Sequence, residues 1–398
     1  MKCILFVDDE QRVLDGLRRM LYPLRNAYET HYVTGGQEAL ALLDRQHFDI
    51  IVSDVRMPEM SGVELLHEVR RRWPQMCRIV LSGQVDREEV LRCVGPIHQY
   101  LAKPCDAGTL KAMLARVSAL DRILGNPQMV RMVAQIETLP SLPSLHEELL
   151  AQLRTPDVSA DLIGATIARD VGMSAKVLQL VNSAFFGLRR RVSSPAAAVK
   201  LIGLETVRSL VVSMQVFSRF PEAALAGFSY EVVMQHAVAV GTRAKQIAGF
   251  EKADAKFLDD TFIAGLLHDV GKLVFASRIP GPFRAVLQQA RDQQRPPVEV
   301  EAQTLGASHA EVGGYLLGLW GFAFPVVDAV AFHHNPAASS DSFSPLTAVY
   351  AAVQMLAQEG DQDAGFDASY LERCGVAGHL ARWREICQQQ PAPELIHA

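Results

Sequence analysis

Three aspartates, a serine and a lysine in the first part of the chain have side chains suited to phosphate chemistry. They are Asp8 and Asp9 in FVDDE, Asp54 in SDVRMP, Ser82 in LSG and Lys103 in YLAKP. Each lies at the end of a short apolar run, such as Ile50-Ile51-Val52 before Ser53 and Asp54. Runs without polar alternation suit buried parallel strands, and open α/β sheets carry their chemistry at the carboxyl ends of such strands. Strands one, three, four and five then bring three carboxylates, a hydroxyl and an ammonium together. Adjacent carboxylates repel unless a cation sits among them, and a hard ion such as Mg²⁺, completed by water and phosphate oxygens, suits Asp8, Asp9 and Asp54. Asp54 is then placed to attack phosphorus as a carboxylate nucleophile, with Lys103 neutralising charge on the phosphoryl oxygens. The competing reading is a set of unrelated surface polar groups, with Asp54 capping a loop; their joint placement argues against it.

A second constellation is rich in histidine. It comprises His236, the pair His268-Asp269 inside AGLLHDVGKL, His309 and the pair His333-His334, all on or at the ends of helical segments. Imidazole with carboxylate is good ligation chemistry for Fe, Mn, Zn or Ni. A metal held there would lower the pKa of a bound water. The alternative is that His268 and Asp269 form a hydrogen-bonded pair in a helical core.

The elements that must position these residues follow from periodicity. Strands are expected at Cys3 to Val7, Glu29 to Val33, Ile50 to Val52, Ile79 to Leu81 and Tyr100 to Ala102. Helical segments are expected near Gln11 to Leu21, Gly36 to Arg45, Val63 to Arg72, Glu88 to Val94 and Ala107 to Leu124. This alternation implies a five-stranded parallel, doubly wound α/β sheet over residues 1–122. Ser61 with Glu64, and Asp86 with Glu89, have capping-box spacing, and Pro74 stops the third helix. Leu110, Met113, Leu114, Val117 and Leu120 trace one apolar stripe. Gly125-Asn126-Pro127 should break that helix, and a helical joint, 123–138, follows without a Gly/Ser-rich spacer.

From 139 the pattern is helical throughout. Leu145, Leu149, Leu150 and Leu153 have helix spacing, as do Leu162, Ile163, Ile167 and Val171. Val177, Leu178 and Val181 begin a face that Phe185, Phe186 and Gly187 close, and Leu201, Val207, Leu210, Val211 and Met214 mark further helices. The all-α domain is placed at 139–340. Residues 341–398 read as a helical extension packed on it, with an acidic loop near Gly360 to Asp367 and a frayed tail around Pro391 and Pro393.

Composition is that of an ordinary globular protein: 398 residues, 49% apolar and 21% charged, with a net charge of −5. The acidic balance and the lack of a basic recognition helix speak against DNA binding. The tight basic clusters, Arg70 to Arg72 and Arg189 to Arg191, read as solvated surface. The six cysteines have no paired spacing, which fits reduced thiols. The acidic residues after the first apolar run exclude a signal peptide, and no apolar stretch is long enough to span a bilayer. The expectation is a soluble cytoplasmic protein.

Taken together, FVDDE, SDVRMP, Gly62, LSG and YLAKP resemble the response-regulator receiver domain over about 120 residues. That resemblance implies Mg²⁺ at Asp8, Asp9 and Asp54, with the Met57 region supplying a backbone or water-side ligand through Arg56. It also implies switch movements of Ser82 and Tyr100, phosphate contact by Lys103, and a Lys103–Pro104 bond that is commonly cis. LPSLPSLHEELL, AKVLQLVNSAFFG, SSPAAAVKLIGLETVRSLV and the histidine segments, over 139–340, resemble the HDOD family of helical domains related to HD phosphohydrolases. Members are generally regarded as non-catalytic. The chain departs from the HD hydrolases where LTAVYAAVQML puts Val353 in place of the last aspartate ligand, and where Asn335-Pro336 stands instead of a GYP segment. The expected function is a two-component response regulator phosphorylated on Asp54 by a partner histidine kinase or a small phosphodonor. Its output would pass through protein–protein contacts to a downstream signalling protein, with a homodimer formed through the receiver. The alternative is a metal-dependent phosphohydrolase of a cyclic dinucleotide or nucleotide.

Overall fold

The computed structural model describes residues 1–83, 97–155, 158–182, 191–208, 210–211, 218–219, 228–339, 341–357 and 365–389. The helix expected at Glu88 to Val94, the Asp86/Glu89 pair, Phe185 to Gly187, Arg189 and Arg190, Met214 and the Pro391/Pro393 tail lie outside them. So does most of the acidic loop after Gly360. The Ser82 side chain is also outside the description; its backbone ends a strand.

The described residues form two compact units, one built mainly from Met1–Glu137 and the other mainly from the residues that follow. In the first, apolar runs whose backbone donors and acceptors cannot be left buried and unpaired line up as a sheet. The elements are β1 (Lys2–Val7), α1 (Gln11–Leu21), β2 (Tyr28–Val33), α2 (Gly36–Leu43), β3 (Ile50–Ser53), α3 (Gly62–Arg72), β4 (Cys77–Ser82), β5 (Gln99–Ala102) and α4 (Ala107–Ala119). The strand order is β2-β1-β3-β4-β5 and every neighbouring pair is parallel. Leu5, Val7, Ile51, Leu65, Leu66, Val69 and Val80 belong to one core cluster under this sheet. Each fully buried aliphatic side chain there contributes about 1.5–3 kcal/mol. The Leu110, Met113, Leu114, Val117, Leu120 stripe is buried, although α4 ends at Ala119 and passes into a 3-10 turn, Leu120–Arg122.

Two local features hold the loop after β3. Ser61 and Glu64 form the expected capping box at the start of α3: the Ser61 hydroxyl accepts from Glu64 N at 3.3 Å, and Glu64 Oε2 accepts from Ser61 N at 2.9 Å. Gly62 passes so close to the Asp54 carbonyl that an added Cβ would lie 1.7 Å from its oxygen.

The joint is anchored rather than loose. Asn126 caps α5 (Pro127–Val133), its side chain accepting from Gln128 N and Met129 N. Beyond that helix, the Ala134 carbonyl accepts from Arg78 Nη2 at 2.8 Å and lies 3.0 Å from His98 Nε2. Arg78 is only 2% exposed, and its Nη1 donates to the Pro74 and Met76 carbonyls. Burial lowers its pKa to about 10 and, with Arg78 alongside, holds His98 well below the ordinary histidine value. Arg70, from the first basic cluster, pairs with Glu137.

The second unit is helical apart from a short parallel bridge between β6 (Pro140–Ser141) and β7 (Ser218–Arg219), which the helical pattern did not announce. Its helices are α6 (Pro143–Arg154), α7 (Ala160–Ile167), α8 (Val171–Val181), α9 (Pro195–Ile202), α10 (Leu204–Arg208), α11 (Tyr230–Phe250), α12 (Ala255–Leu267), α13 (Val270–Arg278), α14 (Pro280–Gln293), α15 (Pro297–Leu305), α16 (His309–Leu319), α17 (Phe324–Phe332), α18 (Pro345–Ala357), α19 (Ala368–Arg373) and α20 (Leu380–Gln389). Leu162 and Leu201 lie on helices as expected, yet are about half exposed, at 48% and 53%. Ile163, Thr166 and Ile167 set the inner face of α7, and Ala198, Val199 and Ile202 that of α9, so a leucine one position off points outward. Among the described residues no helix is long and apolar enough to cross a membrane.

Ser61→Ala should destabilise the first unit by about 1 kcal/mol through loss of the cap. Gly62→Ala should cost about 3 kcal/mol or more, because the Asp54 carbonyl is backbone and cannot swing away. Denaturant titration of both variants checks the order; equal costs would contradict the close approach at Gly62.

Candidate functional site

The register of the sheet assembles the first site. Val7 lies opposite Ser53 and Ser82 opposite Ala102, so Asp8, Asp54 and Lys103 each follow directly on a paired position at the carboxyl edge. Asp8 is buried at 1% exposure, Asp54 is half-buried and Asp9 is exposed. One carboxylate oxygen from each lies within 4.8 Å of the others. The Lys103 ammonium stands 2.6 Å from Asp8 Oδ2 and 3.2 Å from Asp54 Oδ1. Burial raises the Asp54 carboxyl above the ordinary aspartate value, with Lys103 working against it. Burial opposes the charge on Lys103, but Asp8 and Asp54 outweigh it and raise its pKa. The Lys103–Pro104 peptide bond is cis. Tyr100 is half-buried and packs on the sheet core, and Arg56 and Met57 lie in the loop between β3 and α3.

The donor set suits the ion that the sequence implies. Three carboxylates and one ammonium leave two net negative charges within a few ångströms, all on hard oxygen donors, which is the chemistry of Mg²⁺ rather than of a softer metal.

The histidines also converge. The ring centroids of His236 and His268 are 5.2 Å apart, those of His268 and His333 5.1 Å, those of His309 and His334 5.0 Å, and those of His333 and His334 4.1 Å. His236, His268 and Asp269 present ligand atoms within 4.8 Å of one another, as do His309, His333 and His334. The rings are oriented by acceptors at their far nitrogens. His268 Nδ1 faces the Gly265 carbonyl at 2.7 Å, His333 Nδ1 the Val330 carbonyl at 2.8 Å, and His309 Nδ1 Glu301 Oε2 at 2.6 Å. That arrangement turns the Nε2 atoms inward, toward Asp269 and one another, the side that a metal-binding histidine presents.

Several observations fit a metal there. His333 Nε2 is buried without a hydrogen-bond partner. His309 Nε2 and His334 Nε2 face each other at 3.0 Å, a contact that needs a shared proton or cation. Desolvation lowers His236 to about 4 and holds His333 well below the ordinary value, keeping both neutral. Burial works against the charge on Asp269, yet His268 and the Lys272 ammonium, 2.7 Å away, hold its carboxyl well below the usual range. Helix α18, where Val353 is half-buried, contributes none of the six groups.

Sequence spacing did not single out Glu301, which is fully buried and holds both His309 Nδ1 and its backbone N–H. It lies eight residues before His309 on a separate helix, a separation without periodic meaning. The glycine of HDVGK has a local reason: a Cβ on Gly271 would lie 1.9 Å from the His309 carbonyl oxygen, so α13 and His309 can approach only there.

Comparison with known proteins assigns both units. The response regulator receiver domain pattern matches residues 4–115 and the HDOD domain pattern residues 139–336. An uncharacterised protein of Treponema pallidum (strain Nichols) is 29% identical over 227 residues, covering 56% of this chain and 42% of that protein. The hydrogenase transcriptional regulatory protein HoxA of Cupriavidus necator is 46% identical over 103 residues, covering 25% of this chain and 21% of HoxA. The chain thus spans less than half the length of these relatives. The crystal structure of the MmoQ response regulator from Methylococcus capsulatus is similar with 25% identity and a TM-score of 0.48, over 62% of this chain and 98% of that one. With a parallel five-stranded sheet followed by a helical unit, this chain belongs to the response regulators, as a receiver domain joined to an HDOD domain.

Proposed function

We propose that Asp54 accepts a phosphoryl group from a histidine kinase or a small phosphodonor, and that the HDOD domain passes the signal on through protein contacts. The observation that carries this reading is the Lys103 ammonium between Asp8 and Asp54, with Asp9 completing the carboxylate set. Asp8, Asp9 and Asp54 would hold Mg²⁺, which shields the incoming phosphoryl oxygens when bound. Asp54 supplies the nucleophilic oxygen: an O–P bond forms to the carboxylate as the donor's leaving group departs with its bonding electrons. Lys103 balances the negative charge that arrives. Ser82 and Tyr100, on the adjacent strands β4 and β5, would then adjust to the phosphoryl group and alter the surface beside β5 and α4. Contact with a downstream signalling protein and receiver-mediated dimerisation are part of the same proposal.

A second reading is supported by the orphaned His333 Nε2 and the His309–His334 contact: the cluster holds a transition metal. His236, His268, Asp269, His309, His333 and His334 would supply the ligands, with Glu301 orienting His309. A metal there supplies Lewis acidity. The missing carboxylate at Val353 argues that the site binds without efficient turnover.

Asp54→Asn should abolish labelling by acetyl phosphate with Mg²⁺, read by mass spectrometry; labelling at unchanged stoichiometry would remove Asp54 from the acceptor role. Lys103→Met should lower labelling by at least about tenfold, since it removes the charge facing the phosphoryl oxygens. Elemental analysis of purified protein should find a transition metal that His333→Ala loses. Cyclic di-GMP incubated with Mn²⁺ should remain intact; turnover abolished by His268→Ala would establish the hydrolase instead.

A further inference from the structure

The first unit carries a third group of ligating side chains, none of them shared with the phosphoacceptor site. Cys3 on β1 and Glu29 on β2 are register partners, and His31 follows two residues along β2. Side chains two apart on a strand share a face, so the thiol, carboxylate and imidazole all project to the same side. Their Sγ, carboxylate oxygen and ring nitrogen lie within 4.8 Å of one another. Strand β2 is the edge of the sheet, and Glu29 is exposed while His31 is partly so, which leaves a route in from solvent.

A single group already marks the centre of this triad. Gln46 Nε2 lies 3.5 Å from Cys3 Sγ, 3.4 Å from Glu29 Oε1 and 3.1 Å from His31 Nε2. An amide nitrogen has two hydrogens and faces three acceptors, so one contact goes unmade. His31 Nε2 is also 3.1 Å from Glu29 Oε1 and can either donate to Glu29 or accept from Gln46, not both. The imidazole is steadied from the side by the Phe48 ring, edge-on at 5.1 Å. Three convergent acceptors round an under-supplied donor form a cradle for a small cation.

We propose that Cys3, Glu29 and His31 bind a divalent transition metal of the zinc class, with Gln46 displaced and the fourth position open to water. Thiolate, imidazole and carboxylate are the ligand types of tetrahedral zinc, and a set containing sulfur and nitrogen does not favour Mg²⁺. Thiolate and carboxylate together carry two negative charges, which match the dication. Burial, with Glu29 and Asp49 adding to it, pushes the Cys3 thiol up to about 11, so the thiol is protonated in the free protein. Metal binding forms the metal–sulfur bond as the S–H proton leaves to solvent. Distances of 3.1–3.5 Å to the amide must contract to about 2.0–2.3 Å around zinc, a shift that side-chain torsions supply while the β1–β2 register stays fixed. The bound ion would tie the edge strand β2 to β1 through side chains as well as backbone.

Cobalt distinguishes this site from the other two, because neither the aspartate set nor the histidine set contains sulfur. Reduced full-length protein titrated with Co²⁺ should develop a thiolate-to-cobalt charge-transfer absorption in the near ultraviolet, reversed by Zn²⁺. The absorption should vanish in Cys3→Ser and persist in His333→Ala. His31→Gln should weaken binding by at least about tenfold. Gln46→Ala should tighten it, since no amide then has to be displaced. Absence of the absorption at saturating Co²⁺, its survival in Cys3→Ser, or unchanged affinity in His31→Gln would each overturn the proposal. Should Cys3→Ser fold poorly, Glu29→Gln, altered at an exposed residue, tests the same site: weaker Co²⁺ binding supports it and unchanged affinity overturns it.

Discussion

The Lys103 ammonium, suspended between the carboxylates of Asp8 and Asp54, is the contact on which the receiver site depends. Without a cation at that point, the buried Asp8 carboxylate and the half-buried Asp54 carboxylate would face each other with no counter-charge between them, and like charges so close repel. The sheet creates the problem and the solution together. Parallel pairing sends β1, β3 and β5 out at the same edge, so their next residues meet whether they attract or repel. The chain resolves this by making one of them a lysine. The loop behind Asp54 must then be tight, and it is held by the Ser61–Glu64 box and by a glycine where the Asp54 carbonyl leaves no room for a side chain.

The histidine cluster solves a different electrostatic problem. Five imidazoles cannot be crowded in a helical interior as cations, so desolvation and mutual repulsion keep His236, His333 and His334 neutral. Asp269 stays ionised because Lys272 and the histidines surround it. Glu301 counters the desolvation of His309, raising its pKa and fixing its ring. The outcome is a set of Nε2 atoms turned toward one anionic carboxylate, to which α18 adds no acidic side chain.

The joint has its own constraint. Arg78 is buried on the strand that ends in Ser82, and His98 sits just before β5, the strand that carries Tyr100. Both hold the Ala134 carbonyl, so the segment beyond α5 is tied to the two strands whose far ends carry Ser82 and lead into Lys103. A desolvated guanidinium satisfied by carbonyls is costly to disturb, since each lost partner leaves a buried polar group unpaired.

Much of this was legible in the sequence. Apolar runs ending in Asp8, Asp54 and Lys103 announced strands, and Ser61 with Glu64 announced a helix start, because strand ends and caps are decided by a few neighbouring residues. The register that sets Lys103 against both carboxylates was implied only by the assumption of a parallel sheet. Leu162 and Leu201 marked their helices but not the buried faces, because an apolar residue beside a face has the same composition as one on it. Glu301, the Arg78–His98–Ala134 ties and the Cys3–Glu29–His31 group left no pattern, since each joins residues from separate elements. The sequence by itself determined which side chains are of a type that could carry chemistry and which described strands and helices bear them, because those choices are local. Only the tertiary structure decided which nitrogen of each histidine faces inward, which carboxylates share an ammonium and where a buried arginine finds its carbonyls. Those outcomes depend on desolvation and distance across elements that the chain separates by tens of residues.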